Sequence, residues 1–161
     1  MRPDRAVVGR AANIPPPPDR DEFLIRFETG ELAVRQALGT LMGRLAPLGL
    51  TADTLGQTEI VVAEVLNNIV EHAYDIAGEV SLAVQVLPDS LRFTSVDAGH
   101  ALPASLLTTG SMPDIPVDPL DLPEGGFGWA MIRELTETLH YRRIEGQNHL
   151  SFSIRCGKNV Q

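Results

Sequence analysis

Apolar residues recur at two different periods along the chain, and the changes of period mark out the elements. Glu22 to Phe27 reads E-F-L-I-R-F, a short run of strand formers that predicts an opening strand. From Glu31 to Leu50 the apolar residues Leu32, Val34, Leu38, Leu41, Met42, Leu45 and Leu48 fall at helical intervals. Thr51 or Asp53 can cap the next segment, and Leu55 to Ala77 carries an apolar face along its whole length, with Gly78 placed to stop it. Glu79 to Leu87 alternates strictly, Val80, Leu82, Val84 and Val86 taking one face; after Pro88-Asp89 the run Leu91 to Val96 completes an antiparallel hairpin. Gly126 to Thr138 returns to helical spacing through Met131, Ile132 and Leu135. Leu139 to Arg155 then divides into two strands about a turn at Glu145-Gly146-Gln147-Asn148. This order predicts a two-layer sandwich of the α/β (α+β) class, a mixed, mainly antiparallel sheet packed against three helices.

Two stretches follow neither period. Residues 1–20 end in Pro15-Pro16-Pro17-Pro18, which favours extended polyproline II, so they are expected to be a disordered tail ahead of a folded domain at 21–155 and a short C-terminal tail at 156–161. Ala98 to Glu124 holds five prolines and four acids without a Lys or Arg, a long loop of the kind that serves as a lid. The length of 161 residues suits one domain. With 13 basic against 21 acidic residues the net charge is −8, and no basic run interrupts it, so direct binding to nucleic acid is not expected. Cys156 has no partner for an intramolecular disulfide, and His72, His100, His140 and His149 stand too far apart in sequence for a zinc motif. No apolar run approaches the roughly 20 residues of a membrane span, and Pro and Arg interrupt the N-terminus where a secretory signal needs an apolar stretch. The expectation is a cytoplasmic protein without a membrane partner.

Candidate chemistry gathers at three places. On the second long helix Glu64, Asn67, Asn68, Glu71, His72 and Asp75 fall on one face, within about 80° of Glu64 at about 100° per residue. Val62, Leu66, Ile69, Ala73 and Ile76 take the opposite arc. Taken alone, such a stripe is read as a solvated helix face. Val96-Asp97-Ala98-Gly99 closes a strand with an acceptor carboxylate and a glycine that admits close approach to the backbone, though turns use the same residues. Glu124-Gly125-Gly126-Phe127-Gly128-Trp129 directly precedes a helix, where free amides at the positive end can cradle phosphate. Met131 occupies the place of a third Rossmann glycine, and no Gly-Lys-Ser/Thr exists, so neither the dinucleotide fingerprint nor a P-loop is present.

In this order the three elements resemble the GHKL (histidine-kinase-like) ATPase domains shared by histidine kinases, gyrase-type ATPases and bacterial anti-sigma-factor serine/threonine kinases, the last most of all. The family pattern E-x-x-x-N-x-x-x-H is similar to Glu64, Asn68 and His72; the D-x-G box to Asp97 and Gly99; the G-G-x-G box to Gly125-Gly126-Phe127-Gly128; and the ending to Tyr141-Arg142-Arg143 through Gly146 and Asn148. The resemblance covers roughly residues 21 to 155 and implies a GHKL ATPase fold with a long ATP lid. It implies that Asn68 binds Mg2+, that Glu64 is the catalytic base toward a serine hydroxyl, and that Asp97 receives the adenine amino group of ATP. Gly99, Gly125, Gly126 and Gly128 would complete the nucleotide site, while His72 and Tyr74 are read as structural. The implied activity is phosphorylation of a STAS-domain anti-anti-sigma protein, with sequestration of a sigma factor as the other arm of a partner switch; a homodimer is compatible with it. Two departures stand out: Ala101 replaces the second glycine of the D-x-G-x-G box, and the lid is acidic where it would meet triphosphate. A competing reading is a GHKL-fold module that acts by sequestration without phosphotransfer. The ATPase half of a histidine kinase fits less well, since 161 residues leave no room for a dimerisation helix pair.

Overall fold

A computed structural model describes residues 22–73, 78–102 and 126–158. Five strands, β1 (Glu22–Glu28), β2 (Glu79–Val86), β3 (Ser90–Asp97), β4 (Thr138–Ile144) and β5 (Gln147–Arg155), form one sheet in the order β1-β2-β3-β5-β4. Every pairing between neighbours is antiparallel. Among the described residues three helices, α1 (Glu31–Leu45), α2 (Ala52–Ala73) and α3 (Gly126–Leu135), cover one face of it. The two-layer α+β sandwich expected from the sequence is the observed architecture.

Register turns the period-two pattern into rows that cross the sheet. One row on the helix side runs Phe23, Val84, Phe93, Phe152 and Leu139; the next runs Ile25, Leu82, Ser95, Leu150 and Tyr141. Phe93 and Phe152 stack with ring centroids 4.9 Å apart, and both are fully buried. Against these rows α1 sets Val34, Ala37, Leu41 and Leu45, and α2 sets Val61, Val62, Val65, Leu66 and Ile69. A third row, Phe27, Val80, Asp97, Asn148 and Arg143, stays on the same face but turns polar halfway across.

The ends of elements depart from the periodicity for local reasons. The first helix stops at Leu45 rather than continuing to Leu50, because Pro47 has no N–H to extend the ladder; the chain makes a single 3-10 turn (Ala46–Leu48) and leaves through Gly49 at φ 73°. Leu32, counted with the apolar face, is 71% exposed. α2 begins at Ala52, and Thr51 is the capping residue: its Oγ1 accepts from the Thr54 N–H at 3.2 Å. This start is tied to the end of the chain, since Gly157 N–H donates to Thr54 Oγ1 at 2.8 Å and Thr51 N–H to the Gly157 carbonyl at 3.0 Å. α3 ends at Leu135 instead of Thr138, and Met131 turns outward while Ile132 is fully buried. The last hairpin turns on two residues, Glu145 and Gly146, both at positive φ (49° and 78°), so Gln147 and Asn148 belong to β5 rather than to the turn. The expected tail at residues 1–20, the expected helical residues 74–77 and the expected lid from residue 103 onward lie outside the described residues. Among those described, no helix is long and apolar enough to cross a membrane.

The packing sets a stability contrast. Leu66→Ala, at a fully buried position facing the sheet, is expected to cost about 2–5 kcal/mol in urea unfolding, whereas Leu32→Ala at the exposed start of α1 should stay within about 0.5 kcal/mol of the parent.

Candidate functional site

The polar stripe of α2 is divided by what packs on it. Asn67 and Glu71 are exposed, Glu64 is half-buried, and Asn68 is only 4% exposed. The cause is α3, whose first turn crosses α2 at Gly128. A Cβ at that position would stand 2.6 Å from Glu64 Oε2 and 3.3 Å from Asn68 Nδ2. A side chain here would push the Glu64 carboxylate aside and crowd the Asn68 carboxamide, so glycine lets both keep their places, and the meeting brings together three of the residues singled out in the sequence. Gly126 opens the same turn, while Gly125, Tyr74 and the side chain of His72 lie outside the described residues. The stripe is thus buried at Asn68 and half-buried at Glu64, where α3 meets it, and solvated at Asn67 and Glu71.

Three buried polar atoms make no hydrogen bond among the described residues: Asn68 Nδ2, Trp129 Nε1 and Ser95 Oγ. An unmade hydrogen bond at a buried group costs about 1–3 kcal/mol, which natural cores rarely tolerate without a ligand or water to supply a partner. Asn68 and Trp129 flank the Gly128 contact, and Ser95 faces the helices from β3, two residues before Asp97.

Asp97 ends β3 on the helix side, 3% exposed. Its Oδ1 accepts from the Gly99 N–H at 3.0 Å and from Asn148 Nδ2 at 2.9 Å, while no bond among the described residues engages Oδ2. Asn148 is the hub of a wider knot. Nδ2 also donates to the His100 carbonyl at 2.8 Å, and Oδ1 accepts from Tyr141 Oη at 2.6 Å and Arg143 Nη1 at 2.7 Å. Arg143 Nη1 reaches the Gly99 carbonyl at 3.0 Å, and the Leu102 N–H donates to Tyr141 Oη at 3.0 Å. Residues 97–102 are therefore fastened to the β4–β5 hairpin by side chains from β4 and β5.

Sequence reading places Asp97 and Gly99 correctly side by side but sets Asn148 in a turn, with Tyr141 and Arg143 given no part in the site. The signal for Asn148 lies in the strand period: counting back by twos from Ile154 through Phe152 and Leu150 puts Asn148 on the core face. A polar residue there needs a polar partner, and Asp97 opposes it in register.

Chemically, this half of the interlayer space offers a carboxylate beside a buried carboxamide at a helix start, and a second carboxylate with one oxygen uncommitted among the described residues. Among the described residues no cluster of three or more His, Cys, Asp or Glu could enclose a metal. A divalent ion held here would be a hard one, taking one protein oxygen and completing its shell from phosphate and water.

The chain is similar to proteins named Serine-protein kinase RsbW. The one from Bacillus subtilis is 30% identical over 122 residues, 74% of this chain and 73% of the relative. The one from Halalkalibacterium halodurans is 30% identical over 108 residues, 66% of this chain and 67% of the relative. The one from Bacillus licheniformis is 33% identical over 110 residues, 66% and 69% of the two chains. The family model for the histidine kinase-like ATPase domain matches residues 28–154, a span that takes in α2, the Asp97 segment, α3 and the closing hairpin, and the chain belongs to that family.

Proposed function

We propose that this protein is an ATP-dependent serine/threonine protein kinase of the anti-sigma type, a cytoplasmic regulator that phosphorylates a STAS-domain anti-anti-sigma protein and sequesters a sigma factor. The observation that carries the reading is the junction of Glu64 and Asn68 with Gly128, because it joins a candidate base, a candidate metal ligand and a helix start in one contact. The kinase names of the relatives support the activity. The folded unit would start at residue 21, after a tail at 1–20, and run past the expected end at 155, since Cys156 and Gly157 are bonded to the rest of the fold.

Each residue then has a physical role. Asn68, buried and without a partner at Nδ2, fits a site where its other amide atom, Oδ1, ligates Mg2+. Bound there, Mg2+ would neutralise charge on the phosphates of ATP. One turn earlier Glu64 would accept the proton of the attacking serine hydroxyl as the γ-phosphoryl group passes from ATP to the serine oxygen, leaving ADP and phosphoserine. Gly126 and Gly128, with Gly125 ahead of them, would bring the amides of the first turn of α3 to the phosphates. Asp97 Oδ2 would accept from the exocyclic amino group of adenine, and Gly99 would keep the backbone beside the base free of side-chain bulk.

The test is transfer of labelled phosphate from Mg-ATP to the STAS protein. Glu64→Gln preserves shape but removes the base, so phosphotransfer should fall by at least about 100-fold while Mg-ATP affinity changes only a few-fold. Transfer at the parental rate would leave the sequestering module as the better reading. Gly128→Ala puts a methyl group where Glu64 and Asn68 already stand, and both nucleotide affinity and turnover should drop. The fluorescence of Trp129, the one tryptophan of the chain, directly after Gly128, reports that binding.

A further inference from the structure

Asn148 makes more hydrogen bonds than a strand residue needs to hold its place, and their pattern fixes which way its carboxamide faces. The Leu102 N–H donates to Tyr141 Oη, so the phenol proton is directed to Asn148 Oδ1. Arg143 carries only donors and meets the same oxygen. With two donors on that side, the amide oxygen must face Tyr141 and Arg143, and the amino group must face Asp97 and the carbonyls of Gly99 and His100. Flipping the amide would set its N–H groups against the Arg143 and Tyr141 donors and its oxygen against the Asp97 carboxylate and the carbonyls of Gly99 and His100.

The orientation passes to Asp97. A carboxylate at a strand end is free to turn about χ2 and offer either oxygen. Here the Asn148 amino group and the Gly99 N–H both hold Oδ1, which stops that rotation and leaves Oδ2 as the acceptor that no bond among the described residues engages. Both side chains are almost wholly buried, Asn148 being 1% exposed, so water competes poorly for these bonds.

We propose that Asn148 is a positioning residue for base recognition: held by Tyr141 and Arg143, its carboxamide locks Asp97 with Oδ2 directed to a purine amino group, and it thereby sets the preference for adenine over guanine nucleotides. The proposal rests on the reading that Asp97 receives the base. Adenine presents an amino group to that oxygen, whereas guanine presents a carbonyl that repels it. A carboxylate free to rotate could also meet the ring N–H and amino group of guanine, so a locked one discriminates more sharply.

The experiment measures dissociation constants for Mg-ATP and Mg-GTP on the full chain by Trp129 fluorescence and by calorimetry, with thermal unfolding as the check on folding. The two nucleotides share ribose and triphosphate, so a general loosening of the site lowers both affinities and leaves their ratio alone. Asn148→Asp is isosteric but presents an acceptor to Asp97 Oδ1; it should cut the ATP-over-GTP ratio at least tenfold. Tyr141→Phe keeps the ring and removes the hydroxyl that orients the amide, and a several-fold fall in the ratio is expected even if the Asn148 variant fails to fold. Asp97→Ala should abolish the ratio. If Asp97→Ala abolishes it while folded Asn148→Asp and Tyr141→Phe keep the parental value, Asn148 only fastens the hairpin and the proposal is overturned. Should Asp97→Ala itself leave the ratio intact, the base does not sit on Asp97, and the proposal falls together with that reading.

Discussion

The contact between α2 and α3 at Gly128 is the constraint on which the candidate chemistry depends. Two helices normally keep their axes about 8–10 Å apart because side chains stand between them. At Gly128 nothing stands between, and the start of α3 rests directly on Glu64 and Asn68. That approach buries the carboxamide without giving its Nδ2 a partner among the described residues. It also sets the Glu64 carboxylate against the first turn of α3, where the helix field is positive. A residue with any side chain at 128 would have to move one of those groups, so the arrangement of the proposed base, the proposed metal ligand and the helix start is one geometric fact rather than three.

The other half of the site depends on the sheet. The rows through Phe93 and Phe152 and through Leu82 and Leu150 are apolar except at Ser95, and they anchor β3 beside β5. Moving one row further along fixes Asp97 opposite Asn148 with no freedom in register, since a slip by one residue would turn Phe93, Phe152 and Leu150 out of the core. The polar row is therefore held in place by the hydrophobic rows beside it. Its own bonds then fasten residues 97–102, the stretch immediately before the acidic loop, to β4 and β5.

Much of this was legible in the sequence because two periods carry it. Val80, Leu82 and Val84 read as one strand face and are fully buried; Val62, Leu66 and Ile69 read as one helix face and are buried as well. Motif spacing also brought Glu64 and Asn68 to one face of α2, yet it could not show that Asn68 is buried and Asn67 exposed. That difference comes from α3, which is distant in sequence. The turn at Glu145 misled for a related reason: a two-residue turn with both residues at positive φ favours Asn-Gly or Asp-Gly, and Glu145-Gly146 does not announce it. Assigning Gln147 and Asn148 to the loop hid the polar row. The early stop of α1 is, by contrast, written in Pro47, whose missing N–H outweighs the helical spacing of Leu48.

The central claim is that the α2–α3 junction and the Asp97–Asn148 row form a single nucleotide site. A crystal structure of the full chain with Mg2+ and a non-hydrolysable ATP analogue tests it most directly. The account predicts Mg2+ on Asn68 Oδ1 at about 2.0–2.1 Å and the adenine amino nitrogen within about 2.7–3.2 Å of Asp97 Oδ2, with Asp97 Oδ1 still held by Gly99 and Asn148. A nucleotide bound with its base away from Asp97, or with its metal ligated by residues other than Asn68, would contradict it.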